Sequence, residues 1–327
     1  MKPQISKIGV FTSGGDAPGM NAAIRAVVRT AIFYKKEVFG ITQGYEGMIA
    51  GEIVKLGARS VGNIIQRGGT ILKSARSQEF RTKEGRKKAF DNLHKNGIDS
   101  LVAIGGDGTF TGLHVFYEEF GVPSICIPGT IDNDLAGTDY TIGFDTATNT
   151  AVEAIDKIRD TAISHNRLFF IEVMGRNSGY IAINCGIAGG AVATIIPEEH
   201  MTLDELFAKL DEGGKTNKKS SLVVVAEGSK IGGALELAKK FSERNNYFDI
   251  KVTILGHLQR GGTPTYFDRV LASKMGVGAV EGLIQGNHSS MVGIQNNKIV
   301  YNGFETIINS RHEIDTESLR IAKILSI

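Results

Sequence analysis

The segment 128–134 carries the residue types that phosphoryl transfer requires. It reads Pro-Gly-Thr-Ile-Asp-Asn-Asp and follows the apolar run 124–127, so two carboxylates and a hydroxyl come directly after a predicted strand. A carboxylate there can take the proton of an attacking hydroxyl, and the threonine can donate to a phosphoryl oxygen. Because Asp-Asn-Asp is also a common turn sequence, the segment needs a second signal to support this chemistry.

The second signal is the glycine-rich turn 105–109, which ends the apolar run 101–104. Its two leading glycines let the backbone approach a phosphate, and Asp107 can hold Mg²⁺. A plain turn with a helix cap is the alternative. One carboxylate does not complete a magnesium shell, which is typical of a metal that is bound together with nucleotide phosphates. The two loops together predict phosphoryl transfer.

Weaker signals lie elsewhere in the chain. The turn 12–19 contains glycines that could face a phosphate, but it matches neither the dinucleotide nor the P-loop pattern, and a structural turn is the alternative. Glu227 ends the apolar run 222–226, where a carboxylate can accept sugar hydroxyls, and His257 precedes a glycine turn. Four basic residues lie next to strand ends or glycine turns, namely Arg76, Arg167, Arg176 and Arg260. They could bind phosphates, and the alternative is that they are solvated surface residues.

The composition favours a protein of two domains in a reducing cytoplasm. A chain of 327 residues is long enough for about two domains of ~150 residues each. A net charge of +2 gives no reason to expect nucleic acid or a membrane surface as partner. Cys126 and Cys185 lie in apolar contexts and cannot form a disulfide framework. No apolar run has the length of a signal peptide or a membrane span.

Short β-branched runs alternate with helical patterns, which predicts an α/β fold. Predicted helices cover 20–34, 147–163 and 235–241, and 211–221 is predicted to be an exposed loop. The chain is expected to cross between domains near Gly143 and Gly256, and the loops named above are expected at the carboxyl edges of the sheets, where ligands bind. Predicted strands cover 5–11, 38–42, 100–104, 124–127, 168–174, 222–226, 251–255 and 291–294.

With these motifs in view, the sequence resembles the bacterial-type ATP-dependent 6-phosphofructokinases. The likeness extends over about residues 8–296 and rests on the motifs at 12–25, 105–108, 128–134, 174–176 and 256–262. It implies transfer of the ATP γ-phosphoryl group, with Mg²⁺, to the 1-hydroxyl of fructose 6-phosphate. It also implies two Rossmann-like domains, each a mostly parallel sheet between helices. The ATP-binding domain would be 1–143 plus 257–309, and the fructose 6-phosphate domain 144–256 plus 310–327.

The resemblance assigns roles residue by residue. Asp132 resembles the base, with Thr130, Arg176 and Asp134 as its catalytic partners, and Asp107 resembles the magnesium ligand. The ATP contacts would be Gly15, Arg76, Ser77, Gly106, Asp107, Gly108 and Thr109. The sugar phosphate contacts would be Thr130, Ile131, Asp132, Arg167, Met174, Gly175, Arg176, Glu227, Lys251, His257, Leu258, Gln259 and Arg260. Because Arg167 and Lys251 belong to a neighbouring subunit in the family, a homotetramer with shared sites is implied.

Two glycines indicate the phosphoryl donor. Pyrophosphate-dependent members of the family carry Asp and Lys where this chain has Gly108 and Gly129, and those side chains would fill the room of the nucleotide's α-phosphate. With that room left open, the donor is expected to be ATP. The alternatives are a pyrophosphate-dependent phosphofructokinase and a non-catalytic regulatory homologue, although the latter would be expected to have lost Asp107 or Asp132.

Other positions depart from the family. Lys251 stands where Arg is frequent and lacks its bidentate fork, so 6-phosphate binding weaker by roughly 1 kcal/mol is expected. The family's pocket for ADP or phosphoenolpyruvate would use Arg25, Arg29, Arg159, Gly190 and Lys218. The positions of further effector ligands, among them a metal-binding Glu, are held by Ala58, Val192 and Thr216, so activation by ADP is expected to be weak or absent.

Overall fold

The computed structural model describes residues 5–163, 167–215, 221–244 and 248–326. Within these ranges the strands are β1 Lys7–Thr12, β2 Glu37–Ile41, β3 Ile53–Leu56, β4 Ser100–Gly105, β5 Ser124–Pro128, β6 Arg167–Val173, β7 Ala193–Ile195, β8 Ser221–Ala226, β9 Asp249–Ile254, β10 Ser290–Gln295 and β11 Lys298–Gly303. The helices are α1 Met20–Phe33, α2 Gly44–Ala50, α3 Lys83–Lys95, α4 Asp107–Phe120, α5 Phe144–Ile163, α6 Tyr180–Ala188, α7 Leu203–Lys215, α8 Ala234–Ser242, α9 Tyr266–Gln285, α10 Phe304–Ile308 and α11 Thr316–Leu325.

The chain divides into two compact units. The first contains the residues up to 131 together with 135–146 and 260–312, and the second contains 132–134, 147–259 and the residues from 313 onwards. The segment 128–134 therefore contributes its glycine and threonine to the first unit and both of its aspartates to the second. Helix α5 begins in the first unit and continues into the second.

The first unit is built on a seven-stranded sheet in the order β11-β10-β5-β4-β1-β2-β3. The five inner strands are parallel, and β3 and β11 pair antiparallel at the two edges. Helices α1 and α9 pack together on one face, and α2, α3, α4 and α10 bury the apolar core of the other. Both faces are thus covered, which is why β1, β4 and β5 are buried almost throughout and carry continuous apolar runs between their ends rather than an alternating pattern.

The second unit has a parallel sheet in the order β7-β8-β6-β9. Helices α7 and α8 bury the core on one face, and α6 lies on the other with α11 against it. The predicted α/β class, with two mostly parallel sheets between helices, is confirmed. No helix of the described residues is both long and apolar enough to cross a membrane.

All eight predicted strands and all three predicted helices are present, with ends shifted by up to three residues. The loop predicted for 211–221 is wrong over 211–215, because α7 continues to Lys215 despite two glycines, and residues 216–220 lie outside the described ranges. Cys126 and Cys185 are free and buried, as predicted. Burial raises the pKa of the Cys185 thiol to about 12, which leaves it protonated and unreactive.

Candidate active site

In the first unit, the turns that follow β1 and β4 lie at the same edge of the sheet because these strands are parallel neighbours. The Ser13 amide donates to the Ile104 carbonyl at 3.0 Å. A Cβ atom on Gly105 would lie 2.5 Å from the Ser13 oxygen and 2.4 Å from Oγ1 of Thr109, whose side chain is buried there. Glycine at 105 is therefore what allows the two turns to pack backbone against backbone.

Asp107 is the first residue of α4, and its carboxylate is exposed at the helix N-terminus. A Cβ atom added to Gly108 would meet no atom within 4 Å, so the space beside Asp107 is open. Among the described residues, no group of three or more His, Cys, Asp or Glu side chains could hold a metal ion. A single exposed carboxylate fits a magnesium ion that arrives already coordinated by phosphates.

The surroundings of Gly129 are more crowded than those of Gly108. Its amide donates to the Gly105 carbonyl at 2.9 Å, and a Cβ atom there would lie 2.9 Å from Ile104 Cγ2 and 3.2 Å from Met20 Cε. The side-chain direction is open at Gly108, whereas at Gly129 packed apolar groups already occupy it. A larger residue at 129 would have to displace Ile104.

Thr130 lies beside the glycine turn that carries Asp107. A Cβ atom on Gly106 would be 3.7 Å from the Thr130 Cβ atom. The Thr130 carbonyl accepts the Thr141 hydroxyl at 2.6 Å, and the Pro128 carbonyl accepts the Ile142 amide at 2.9 Å. The residues that follow β4 and β5 are thus adjacent, as the sequence predicts.

Arg260 also belongs to the first unit. Its Nη1 atom donates to the Asp16 carbonyl at 3.2 Å, and a Cβ atom on Gly15 would lie 2.6 Å from the same nitrogen. Arg76 is exposed, and the Ser77 hydroxyl accepts the Phe80 amide at 3.2 Å. The structure therefore brings Arg260 to the first glycine turn, a contact that spacing along the chain does not indicate.

Sequence reasoning missed Asn21, which is buried in α1. Its amide nitrogen donates to the carbonyls of Arg67 and Gly68 at 3.0 and 3.1 Å, and its oxygen accepts the Ile71 amide at 2.8 Å. Asn21 therefore directs the segment that leads to Arg76. The sequence signal that could have found Asn21 is a polar amide on the buried face of an otherwise apolar helix.

In the second unit, Asp132 and Arg176 form an ion pair. Nε of Arg176 lies 3.6 Å from Oδ2 of Asp132, whose side chain is 3% exposed while that of Arg176 is 60% exposed. The Ser178 hydroxyl donates to the Asp132 carbonyl at 2.9 Å. Asp134, two residues on, is half-buried. A buried carboxylate beside a largely exposed guanidinium is an arrangement that can accept a proton and stabilise anionic charge.

The turn that carries Arg176 is held in an unusual backbone conformation. Gly175 has φ 138° and Arg176 has φ 52°, which is costly for a residue with a side chain. Oε1 of Glu227 accepts the amides of Gly175 and Arg176 at 3.3 and 2.7 Å. A Cβ atom on Gly228 would lie 1.9 Å from the Arg176 carbonyl oxygen. Glu227 therefore holds the turn, a role that the sequence did not suggest.

Gln259 is entirely buried. Its side-chain oxygen accepts the Met174 amide at 3.3 Å and its nitrogen donates to the Gly256 carbonyl at 3.1 Å. In this structure the Gln259 side chain links the Met174 turn to the short 3-10 helix, and the predicted contact of Gln259 with the substrate stays a prediction. His257 and Leu258, in the same short 3-10 helix Gly256–Arg260, are exposed.

Arg167 and Lys251 lie together, away from the Met174 turn. Arg167 opens β6, six residues before Val173, so at ~3.3 Å per residue it is about 20 Å from the Met174 turn. Both cations pair with Asp249, at 3.1 Å for Arg167 Nε and 2.7 Å for Lys251 Nζ. The expectation that all of the site loops share the carboxyl edge is wrong for Arg167, which lies at the amino edge of the second sheet.

The predicted effector residues divide between the units. In the first, Arg25 and Arg29 are on α1, and the pKa of Arg25 is lowered by burial and by the charge of Arg29. In the second, Nη2 of Arg159 donates to the Gly190 carbonyl at 3.3 Å, and Val192 packs against the apolar core. Thr216 and Lys218 lie outside the described residues.

The two α/β units carry glycine turns, an exposed aspartate at a helix N-terminus, and a buried aspartate paired with arginine. Together these are features of a phosphotransferase. The model of the phosphofructokinase family matches residues 7–283. The chain belongs to the phosphofructokinase family.

Named relatives are similar in sequence to this chain over nearly its whole length. The ATP-dependent 6-phosphofructokinase of Cytophaga hutchinsonii is 53% identical over 322 residues, which are 98% of both chains. ATP-dependent 6-phosphofructokinase 1 of Thermus thermophilus is 55% identical over 323 residues, which are 99% of this chain and 100% of the relative.

Solved structures are also similar. Phosphofructokinase from Saccharomyces cerevisiae superposes with a TM-score of 0.88 at 37% identity, covering 98% of this chain. The chain spans 46% of that longer yeast chain. The pyrophosphate-dependent phosphofructokinase from Marinobacter aquaeolei has a TM-score of 0.84 at 20% identity, covering 99% of this chain and 92% of that one, and shows a shared fold alone.

Proposed function

We propose that this chain is an ATP-dependent 6-phosphofructokinase, which transfers the γ-phosphoryl group of ATP to the 1-hydroxyl of fructose 6-phosphate and releases ADP and fructose 1,6-bisphosphate. Relatives with that activity in their names are 53–55% identical to it over almost their full length. The observation that carries the mechanism is the ion pair between buried Asp132 and Arg176. It provides a proton acceptor and a cation in one place.

On the acceptor side, Asp132 takes the proton of the sugar 1-hydroxyl as that oxygen attacks the phosphorus. Arg176 and Thr130 stabilise the charge on the transferring group, and Asp134 orients the base. Glu227, through the amides of Gly175 and Arg176, keeps the guanidinium beside Asp132. The remaining sugar contacts are Ile131, Met174, Gly175, Glu227, Leu258 and Arg260, and the 6-phosphate is held by His257.

On the donor side, the glycine turns of the first unit bind the nucleotide. Gly15, Gly106, Gly108 and Thr109 shape the backbone that faces the phosphates, and Arg76 and Ser77 contact ATP. Asp107, exposed beside the open space at Gly108, would hold Mg²⁺ on the phosphates, where the ion offsets negative charge.

Arg167 and Lys251 are proposed to bind the 6-phosphate in the site of a neighbouring subunit. Their position at and near the amino edge of the second sheet, with Arg167 about 20 Å from the Met174 turn, supports this proposal because Arg167 cannot reach a phosphate bound at that turn of its own chain. A homo-oligomer, by family pattern a homotetramer, follows from sites that are shared in this way.

A coupled assay of both donors tests the function. With fructose 6-phosphate and Mg²⁺, we expect ATP to support turnover, since the space beside Gly108 is open. We expect pyrophosphate to support none above background, since the relatives that are 53–55% identical are named as ATP-dependent. Turnover with pyrophosphate alone would show the pyrophosphate-dependent alternative instead. Failure with both donors, in protein shown to be folded by circular dichroism, would favour a non-catalytic homologue.

The proposed effector site predicts a weak response to ADP. Val192 is partly buried against the apolar core of the second unit and cannot ligate a metal, and Ala58 offers no charge. We expect ADP to lower the half-saturating concentration of fructose 6-phosphate weakly or not at all at fixed ATP. A several-fold decrease on adding ADP would contradict this, and Val192→Glu is the variant expected to create such a response if the site is otherwise intact.

A further inference from the structure

Asp268 is a buried carboxylate that neither the motifs nor the proposed mechanism uses. It lies in the first turn of α9, in the first unit, with no exposed surface. Oδ1 accepts the Gly143 amide at 2.8 Å, and Oδ2 accepts both the amide and the hydroxyl of Thr146, at 2.9 and 2.6 Å. A buried charge is costly unless it is hydrogen-bonded in this way. The carboxylate thus ties the start of α5 to the start of α9.

The segment that Asp268 holds continues directly to Thr130. Immediately before Gly143, the Ile142 amide donates to the Pro128 carbonyl at 2.9 Å. Next to it, the Thr141 hydroxyl donates to the Thr130 carbonyl at 2.6 Å. Residues 141–146 are thus bonded to Asp268 at one end and to the proposed phosphoryl-binding segment at the other.

The first glycine turn rests on the same segment. A Cβ atom on Gly19 would lie 2.7 Å from Ile142 Cγ2 and 3.6 Å from the Asp268 Cβ atom, and one on Gly143 would lie 2.7 Å from the Ala17 Cβ atom. Residues 142 and 143 are therefore closely packed against the first glycine turn and the start of α1. A change at Asp268 would therefore be passed on to Thr130 rather than absorbed locally.

We propose that Asp268 is a positioning residue of the phosphoryl-transfer site, which fixes residues 141–146 and through them the placement of Thr130. The inference rests on the proposed function, in which Thr130 stabilises the transferring group. Asp268 does not itself touch a substrate. Its effect should appear in kcat, because displacing a group by ~1 Å can cost ~10²-fold in rate.

The ionised form of Asp268 is the one that accepts all three hydrogen bonds. Burial raises its pKa to about 6, against the opposing effect of the bonds from Thr146 and Gly143, and the charge of Asp145 raises it further. The Thr265 hydroxyl accepts the Asp268 backbone amide at 3.3 Å and itself donates to the Asp145 carboxylate. Gly19, whose Cβ position lies 3.6 Å from the Asp268 Cβ atom, brings no charge from the start of α1. Asp268 is therefore ionised above about pH 6, and on protonation it loses acceptor capacity and resembles an asparagine.

The test compares the wild-type enzyme with Asp268→Asn as full-length protein. At pH 8 we expect kcat to fall by about 10- to 100-fold with KM for fructose 6-phosphate within about twofold. The ratio of wild-type to variant kcat should fall several-fold at pH 5.5, below the pKa of about 6, where most of the wild-type Asp268 is protonated. Taking the ratio removes the titration of groups that both enzymes share. Inactivity of the wild type itself would count against the proposed function and not against this role.

Two further variants separate positioning from stability. Met275→Ala removes a fully buried side chain on the same helix and should lower Tm without the loss in kcat or the pH-dependent ratio. If Asp268→Asn does not fold, Thr146→Val removes one donor to Asp268 while Thr146→Ser keeps it, and only the valine variant should lower kcat. Wild-type kcat in Asp268→Asn, an equal loss in Met275→Ala, or equal loss in both Thr146 variants would overturn the proposal.

Discussion

Replacing Asp132 with asparagine is expected to lower kcat by about 10²–10⁴-fold, because the amide cannot take the proton of the attacking hydroxyl. The change is nearly isosteric, and the bond that Ser178 makes to residue 132 goes to its backbone carbonyl, so the fold should persist. Initial rates at saturating ATP and fructose 6-phosphate measure the effect, and circular dichroism checks the fold.

The matched control is Asp139→Asn in the same loop. Asp139 is exposed and its carboxylate accepts the Asn296 amide at 2.8 Å, so this variant removes a charge close by in the sequence and leaves the proposed base unchanged. We expect its kcat to stay within about twofold of wild type, as for ordinary surface changes. Turnover near the wild-type value in Asp132→Asn would refute the role of Asp132 as base.

Replacing Arg176 with alanine is expected to lower kcat by about 10²–10³-fold, the range for losing one electrostatic contact to a transition state. The loss has two causes. The guanidinium no longer stabilises the transferring group, and the buried Asp132 carboxylate loses the cation that lies 3.6 Å away. Alanine accepts the backbone conformation at φ 52° no worse than arginine, so the turn held by Glu227 should remain.

Arg244→Ala is a suitable control for this variant. Arg244 also belongs to the second unit, pairs with Asp204 at 2.9 Å, and is 59% exposed against 60% for Arg176. Loss of such a surface pair is worth at most ~1 kcal/mol of stability and should leave kcat unchanged. Equal effects of the two arginine changes on kcat would show that Arg176 has no special part in the reaction.

The hairpin of β10 and β11 shows what a fuller use of local signals would have recovered. Strand β10 was predicted, but β11 was missed, although Asn296 and Asn297 join the two in a two-residue turn with φ 49° and 62°. Asparagine tolerates these angles, and paired positive φ values define a tight hairpin turn. Strand β7, with three residues, was too short to show a period. The continuation of α7 over Gly213 and Gly214 opposes local helix propensity.

The sequence by itself determined the α/β class, the order of the main elements, the family, and the residue types that phosphoryl transfer requires. These are local properties, since apolar runs, glycine turns and motifs are each contained in a few adjacent residues. Asp107, Thr130, Asp132 and Arg176 could be singled out in this way. Thr130 does lie beside the Asp107 turn, and Asp132 does pair with Arg176.

Only the tertiary structure decided which of the candidate side chains are free to act. In the folded chain, apolar groups fill the space into which a side chain at position 129 would point, and the side chain of Gln259 is buried. Arg167 lies at the opposite edge of its sheet from the Met174 turn. The tertiary structure also joins Asp268 to Gly143 across 125 residues of sequence. Burial and hydrogen-bond partners depend on elements that are distant in the chain, and neither composition nor periodicity carries that information.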